Sequence, residues 1–120
     1  MSKIENLSIA KNWFEAFNTH DLDALLSLYD DEASHFSPKL KIKKPETKGL
    51  IKGKTELKLW WEEAFNNLPS LKYKNTSLTA NEERVFMEYI RQVEGEDDMD
   101  VAELLEIEKG KIVFSRVYHG

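Results

Sequence analysis

The alternation of apolar and polar residues through the second half of the chain restricts its fold more than any other feature. From Leu71 onward, segments rich in β-branched and aromatic residues are separated by short turns, a pattern typical of strands. We predict strands over residues 71–79, 84–94, 101–108 and 111–119. The last two form a hairpin across Lys109-Gly110, where Gly110 suits the left-handed position of a three-residue turn with a bulge.

Helical periodicity dominates the first half of the chain. Apolar residues recur at helical spacing over residues 5–18 and again over 54–67, and Pro69 stops the later segment. Between them, Asp21 can cap another helix that ends near Asp30, where acidic residues oppose the helix dipole. Helices followed by a run of antiparallel strands predict an α+β fold with the helices on one face of the sheet.

The segment between these helices is less regular. A short strand over residues 34–37 ends at Pro38, and Leu50-Ile51 make another short strand. We predict a long lysine-rich loop over residues 38–49, and loops of this length in small domains are often lids over sites.

Length and composition favour one domain spanning residues 1–120. Apolar residues make up 41% of the chain, which supplies one core and excludes a wholly disordered chain. The absence of Cys excludes disulfides, thiolate metal sites and a Cys nucleophile. Since no apolar run reaches membrane-spanning length and the first residues lack the apolar core of a signal peptide, we expect a cytoplasmic protein that does not bind membranes.

Charge is unevenly distributed along the chain. Residues 39–58 hold eight Lys and two acidic residues, whereas residues 82–108 hold eleven acidic residues and two Arg, and the net charge is −5. Either these segments attract one another, within a monomer or across a dimer, or the lysine-rich segment attracts an anionic ligand. We expect no nucleic-acid binding, because the net charge is negative and no aromatic residue lies between Lys39 and Lys58.

Four local motifs resemble those of a known family. They are residues 17–25 (FNTHDLDAL), residues 29–33 (YDDEA), Gly53-Lys54 before the last predicted helix, and residues 110–113 (GKIV) at the last strand. With the order of elements, they resemble the nuclear transport factor 2-like superfamily, which includes SnoaL-like proteins and ketosteroid isomerases. The resemblance implies a strongly curved, mostly antiparallel sheet wrapped around three helices, making a cone with an internal pocket. Its members include isomerases, cyclases, epoxide hydrolases, dehydratases and non-enzymatic binding domains.

The residues at the catalytic positions of these relatives limit the reactions that we expect from this chain. Ser37 stands before Pro38 where ketosteroid isomerases have a general-base Asp, and Trp13 stands where they have a Tyr. An ordinary hydroxyl cannot abstract a carbon-bound proton, although an indole N–H can still donate a hydrogen bond. Arg91 lacks the two flanking Asp residues of epoxide hydrolases. Glu103 aligns with the Asp of SnoaL-like cyclases and is therefore the candidate acid or base.

Strand alternation predicts which side chains face the pocket. With Glu103 inward, alternation places Val101, Leu105 and Ile107 on the same face, and across the turn also Val113, Ser115, Val117 and His119. On the preceding strand, the resemblance implies that Met87, Tyr89, Arg91 and Val93 face inward. We expect ligand contacts from Trp13, Phe17, His35, Ser37, Trp60, Met87, Tyr89, Ser115 and Val117. Adjacent helix residues point about 100° apart, so one of Trp60 and Trp61 packs inside and the other lines the pocket mouth or touches the lysine-rich loop.

Arg91 and Glu103 should be near neighbours inside the cone, and three interpretations stay open. The two residues form a buried ion pair, or Arg91 orients a carboxylate or enolate, or Glu103 performs acid–base catalysis. His119 is either a ligand contact or a solvated residue near the end of the chain. His35, His119 and Glu103 fit no compact metal-binding spacing, so we expect no metal, and the lack of a dinucleotide motif predicts no cofactor.

The opposite parity of the strands also carries large apolar residues. They are Phe86, Ile90, Leu104, Phe114 and Tyr118. A solvated face rarely carries such a cluster, and the family commonly dimerises through the outer face of its sheet. We therefore predict a symmetric homodimer with Arg116 and Glu88 on or near the rim of its interface.

The predicted function is the binding of a small molecule, with acid–base catalysis of the cyclase, isomerase or dehydratase type if the protein is an enzyme. The substrate would be a small, largely apolar carbonyl compound. Glu103 would move the proton, and Arg91, Tyr89 or His119 would stabilise the developing negative charge. The alternative is a non-catalytic module of the same fold that binds a ligand or another protein.

Overall fold

The computed structural model describes residues 2–119 as helices packed on one sheet. The helices are α1 (Lys3–Asn18), α2 (Leu22–Ser27), α3 (Pro38–Lys43) and α4 (Lys54–Asn67), with a short 3₁₀ turn at Pro45–Thr47. The strands are β1 (Tyr29–Phe36), β2 (Leu50–Lys52), β3 (Lys72–Ala80), β4 (Arg84–Gln92), β5 (Met99–Glu108) and β6 (Lys111–His119). Within residues 2–119, no helix is long and apolar enough to cross a membrane.

The strands form a single curved sheet in the order β2-β1-β6-β5-β4-β3. All neighbouring strands are antiparallel except β1 and β6, which run parallel. Helix α1 packs on β3 and β4, while α4 packs on β1 and β2, so the helices cover one face of the sheet. The predicted α+β fold with a mostly antiparallel sheet is confirmed.

The first two helices begin at side-chain caps. Ser2 Oγ accepts a hydrogen bond from the Glu5 backbone N–H at 3.1 Å, and the Glu5 carboxylate accepts one from the Ser2 N–H. Asp21 caps α2, as predicted, by accepting a hydrogen bond from the Ala24 N–H at 3.0 Å. These caps satisfy N–H groups that a helix leaves unpaired at its start.

The predicted boundary between the second helix and the first strand is wrong. Helix α2 ends at Ser27, and Tyr29 and Asp30 open strand β1. The Leu28 carbonyl accepts a hydrogen bond from the Ile112 N–H at 2.9 Å, so pairing with the distant strand β6 replaces another helical turn. Tyr29 is buried, and an apolar residue suits both the end of a helix and the start of a strand. Apolar spacing alone therefore did not distinguish the two.

The predicted loop over residues 38–49 is also wrong, because much of it is helical. Ser37 Oγ accepts a hydrogen bond from the Lys39 N–H at 3.2 Å and caps α3, whose first residue is Pro38. Proline suits the first helical position, since its fixed φ is helical and its missing N–H needs no partner. The fully buried Leu40 anchors the segment, and Ser37 is a helix cap rather than a strand residue.

The β5–β6 hairpin turns through two residues, where we predicted three. Lys109 and Gly110 both have positive φ, 50° and 77°, and Glu108 pairs directly with Lys111. Two consecutive left-handed residues are typical of the tight turns that match the twist of paired strands. The left-handed Gly110 is as predicted.

A bulge lies further along β6. Ile107 pairs with Ile112, whereas Glu106 pairs with Phe114, so Val113 is the extra residue. The bulge turns Ile112 inward, where it is fully buried, in place of the inward Val113 that we predicted. Beyond the bulge the predicted parity of β6 holds, because Ser115 and Val117 are buried.

The inner face of the sheet forms the core with α1 and α4. The inward residues predicted for β4 and β5, and Val93 just after β4, are confirmed, since all of these are buried: Met87, Tyr89, Arg91, Val93, Val101, Glu103, Leu105 and Ile107. Aromatic rings stack in sequence across the core, with centroids of Phe17 and Tyr73 4.0 Å apart and those of Tyr73 and Tyr89 4.1 Å apart.

The outer face of the sheet carries the apolar residues predicted for it. Those that are exposed or half-buried there are Phe86, Ile90, Leu104, Phe114 and Tyr118. Arg116 pairs across strands between Leu104 and Phe36, and its guanidinium lies 4.3 Å from the centre of the Phe36 ring. Arg116 therefore lies among the apolar residues of this face.

Candidate functional site

A cavity of about 70 Å³ lies between the helices and the inner face of the sheet. This volume holds roughly five water molecules or one small organic molecule. The predicted site residues that line it are Trp13, Phe17, His35, Ser37, Trp60, Tyr89, Arg91, Glu103, Val117 and His119. Met87 and Ser115 are buried but do not line it. Met87 lies opposite Glu103 on the neighbouring strand, and Ser115 bonds the His35 ring.

Sequence reasoning missed the part of the wall that α3 and β3 supply. Lys39 and Lys43 reach the cavity from α3, and Leu71 and Tyr73 line it at and just before the start of β3. The lysines were missed because α3 was predicted as a loop. The inward position of Tyr73 follows from strand alternation and could have been found in the predicted strand over residues 71–79.

Both adjacent tryptophans of α4 are buried and line the cavity. The Trp61 ring lies 5.3 Å from the His35 ring. Trp60 lies 5.9 Å below the ammonium of Lys43, so it contacts the lysine-rich segment, which was one of the predicted positions.

Glu103 is the buried carboxyl group of the cavity. The Tyr89 hydroxyl donates a hydrogen bond to Glu103 Oε1 at 2.8 Å. None of the residues 2–119 donates one to its Oε2. Burial raises the pKa of Glu103 to about 8, and the hydrogen bond from Tyr89 offsets only part of this effect. The carboxyl group is therefore mostly protonated at neutral pH and exchanges its proton close to that pH.

Three buried tyrosines feel the charge of this carboxyl group and stay protonated. Burial, with the charge of Glu103 as the next cause, raises the pKa values of Tyr29, Tyr73 and Tyr89 above their usual range. They therefore act as hydrogen-bond donors or acceptors and not as bases.

Arg91 and Glu103 do not form the contact that we predicted between them. Arg91 pairs across strands with Met99, whereas Glu103 pairs with Met87, so their positions differ by four residues along the ladder. This offset amounts to about 13 Å between backbones. Tyr89 lies between them and bonds Glu103, while Arg91 Nη1 bonds Glu96 Oε1 at 2.8 Å. The interpretation of a buried Arg91–Glu103 ion pair is therefore wrong.

A chain of hydrogen bonds ends at His35. Trp13 Nε1–H, which can only donate, bonds the Tyr29 hydroxyl at 3.1 Å, and that hydroxyl donates to Ser115 Oγ at 3.3 Å. The buried Ser115 hydroxyl also bonds His35 Nδ1, and the tautomer of the ring decides which of the two donates. In the tautomer in which Ser115 donates, the ring hydrogen of a neutral His35 is at Nε2. Burial lowers the pKa of His35 to about 3, so the ring is neutral near pH 7.

The other histidines differ in position. His119 lines the cavity, and burial, followed by the nearby charges of Lys39 and Arg91, lowers its pKa. His20 lies outside the cavity, where its ring stacks on Phe65 and bonds the Leu71 carbonyl at 2.7 Å. Residues 2–119 contain no group of three His, Cys, Asp or Glu side chains that could hold a metal ion.

Known proteins share both the sequence pattern and the fold. The family model described as the SnoaL-like domain matches residues 10–115. Among solved structures, a SnoaL-like protein of unknown function from Burkholderia thailandensis is 24% identical, with a TM-score of 0.89 over 99% of this chain and 97% of that one.

More distant structures share the fold at lower identity. A candidate ketosteroid isomerase from Kribbella flavida is 14% identical, with a TM-score of 0.80 over 98% of this chain and 79% of that one. A candidate polyketide cyclase from Sinorhizobium meliloti is 15% identical, with a TM-score of 0.78 over 92% and 94%. No curated protein matches the sequence. Because the family model covers most of its length, the chain belongs to the SnoaL-like domain family.

Proposed function

We propose that this protein catalyses proton transfer on a small carbonyl compound, with Glu103 as the acid–base group. The observation that carries the proposal is the Glu103 carboxyl group, buried at the cavity with one oxygen bonded to Tyr89 and the other without a donor among residues 2–119. A catalytic group works best when its pKa lies near the working pH, and burial brings that of Glu103 to about 8.

The proposed step needs only groups of this chain. Glu103 Oε2 takes a proton from the carbon beside the carbonyl, and the electron pair of that C–H bond moves to form an enolate. In the tautomer in which Ser115 donates to Nδ1, His35 Nε2–H donates a hydrogen bond to the enolate oxygen. Glu103 then returns the proton to the same or another carbon, which gives exchange or isomerisation. A cavity of about 70 Å³ favours a short substrate over a polycyclic one.

The test compares Glu103→Gln with Glu106→Gln, which removes a carboxylate from a half-buried position of the same strand. Proton NMR in D₂O follows exchange at the α-carbons of a panel of short ketones and oxo acids. We expect a loss of roughly 100-fold or more in Glu103→Gln and none in Glu106→Gln. The rate of the wild type should rise with pH and level off above about 8. Equal exchange in the two variants would contradict the proposal.

A non-catalytic ligand-binding module is the second candidate. The stacked rings of Phe17, Tyr73 and Tyr89 at the cavity favour it, because such surfaces bind flat apolar groups without any chemistry. Binding of ketones without any exchange in the wild type would support this alternative over the enzyme.

We also propose a homodimer through the outer face of the sheet. Phe86 and Tyr118 expose 40% and 45% of their surface there, next to the half-buried Ile90, Leu104 and Phe114. Contiguous apolar patches on soluble domains mark interaction surfaces, and a twofold dimer is the simplest way to cover one.

A further inference from the structure

The mouth of the cavity collects positive charge around one buried arginine. Arg91 has a side chain only 6% exposed and lines the cavity together with Lys39, Lys43 and His119. Burial lowers the pKa of Lys39, and the next cause is the positive charge of Arg91. Arg91 likewise contributes to the lowered pKa of His119. Arg91 and Lys39 are thus close enough to repel each other.

The acidic groups at this mouth are few and lie at its edge. Glu96 bonds Arg91 at 2.8 Å but its side chain is 49% exposed. Glu63 also lines the cavity, where its carboxylate lies 3.9 Å from Lys44 and is 44% exposed. Glu103, with a pKa of about 8, is mostly uncharged at neutral pH. The mouth therefore carries an excess of positive charge that an anion would neutralise.

We propose that Arg91 and Lys39 form a carboxylate-binding subsite, and that the ligand is a short oxo acid whose carboxylate replaces Glu96 on Arg91. The assignment rests on the proposed function for the carbonyl end of the ligand, which reaches toward Glu103 while the carboxylate stays at the mouth. A planar guanidinium binds carboxylates through two parallel hydrogen bonds, and Glu96 occupies only Nη1. Displacing Glu96 does not leave the buried Arg91 unpaired, because the ligand carboxylate takes its place and the half-exposed Glu96 returns to water.

The Glu96 carboxylate occupies the place on Arg91 that we propose for the ligand carboxylate, and its position in the chain allows it to leave. It belongs to the β4–β5 turn, next to Gly95, whose φ is +84° and around which nothing lies within 4 Å of an added Cβ. Residues 94–98 of this turn are all exposed. The Glu96 carboxylate can therefore leave Arg91 without disturbing the core.

The probes are 4-oxopentanoate and 5-methyl-2-hexanone, which replaces the carboxylate by an isopropyl group of the same number of non-hydrogen atoms. Binding is followed by ¹H–¹⁵N NMR titration at low salt. We expect the anion to bind at least tenfold more tightly than the ketone, with shifts at Arg91 and Lys39.

Lys39→Met should weaken binding of the anion several-fold, whereas Lys41→Met, on the exposed side of the same helix, should not. Lys39→Met is preferred to Arg91→Met because it replaces a less buried residue.

Glu96→Gln tests most directly whether Glu96 competes with the ligand for Arg91, and Glu94→Gln is its matched control. Both remove one exposed carboxylate from the same turn, but only Glu96 bonds Arg91. Glu96→Gln should tighten binding of 4-oxopentanoate several-fold more than Glu94→Gln does. Equal effects of the two variants, equal affinity for ketone and anion, or displacement of 4-oxopentanoate by equimolar inorganic phosphate would overturn the carboxylate subsite. Binding is measured without turnover, so a lack of exchange by Glu103 would contradict the proposed function alone.

Discussion

Glu103 and His35 are two buried ionisable side chains that are both held neutral. Burial raises the pKa of Glu103 from its ordinary 4.5 to about 8 and lowers that of His35 from 6.5 to about 3. Each shift makes the stability of the fold depend on pH, because the unfolded chain changes its protonation first.

The pH dependence of stability should show a plateau with two flanks. As pH rises from 4.5 to 8, Glu103 ionises in the unfolded chain only, so it lowers the free energy of unfolding by about 1.4 kcal/mol per pH unit. As pH falls from 6.5 to 3, His35 takes a proton in the unfolded chain only, so each unit of decrease lowers the free energy of unfolding by the same amount. The two slopes cancel between 4.5 and 6.5. Urea denaturation across this range measures the curve.

Two variants separate these contributions. Glu103→Gln should flatten the flank above pH 6.5 relative to the wild type, and His35→Asn should flatten the flank below pH 4.5. Taking the difference from the wild type removes the effect of the surface carboxylates, which all three proteins share. A Glu103→Gln curve parallel to that of the wild type between pH 6.5 and 8 would contradict the raised pKa.

At the residue scale, strand alternation together with the family resemblance predicted the part of the cavity wall that β4, β5 and β6 supply. Alternation places Tyr89 and Arg91 on one face of β4. It does not give the register between β4 and β5, which the turn over residues 93–98 sets. The predicted Arg91–Glu103 contact failed for that reason, since both residues do face inward.

Gly49, next to the short strand β2, is closely surrounded by other side chains. Its φ is +90°, and a Cβ there would lie 2.6 Å from Phe36 Cε2 and 2.9 Å from Lys41 Cγ. Its carbonyl also accepts the Ser37 N–H at 3.0 Å, which holds the start of α3 against β2. The clash with Phe36 therefore adds to the backbone strain of a left-handed alanine.

Gly49→Ala should destabilise the protein more than Gly95→Ala. Gly95 has a similar φ of +84° but nothing within 4 Å of an added Cβ, so it reports the backbone strain alone, about 1 kcal/mol. We expect Gly49→Ala to cost at least about 1 kcal/mol beyond that, measured as the difference in urea midpoints. Equal midpoints would mean that Phe36 and Lys41 move aside without cost.

At the element scale, the sequence predicted long elements well and short ones poorly. The helix over residues 54–67 matches α4, because its apolar period runs through four turns. Helix α3 has six residues, too few for a periodic signal, and only the Ser37-Pro38 pair indicated its start. The end of α2 depends on the pairing of Leu28 with Ile112 of β6, and the residues around α2 do not indicate this distant contact.

The outer face of the sheet should hold two copies of the whole molecule together. Phe86→Glu or Phe114→Glu places a charge within that face and should convert a dimer to a monomer, as measured by size-exclusion chromatography with light scattering. Phe86 is 40% exposed, so its replacement leaves the core intact. Leu59→Glu, at a residue 55% exposed on α4, is the control and should not change the mass. A monomeric wild type would contradict the dimer.

The parallel pairing of β1 with β6 also determines when the cavity can exist. His35 and Ser115 are 80 residues apart along the chain, so a growing chain makes β1 long before its partner. At ordinary rates of synthesis this interval is roughly 4–16 s. During it the edge of β1 is open to other chains, and Asp31 and Glu32, exposed in the middle of that strand, carry charges of the kind that discourage edge-to-edge aggregation.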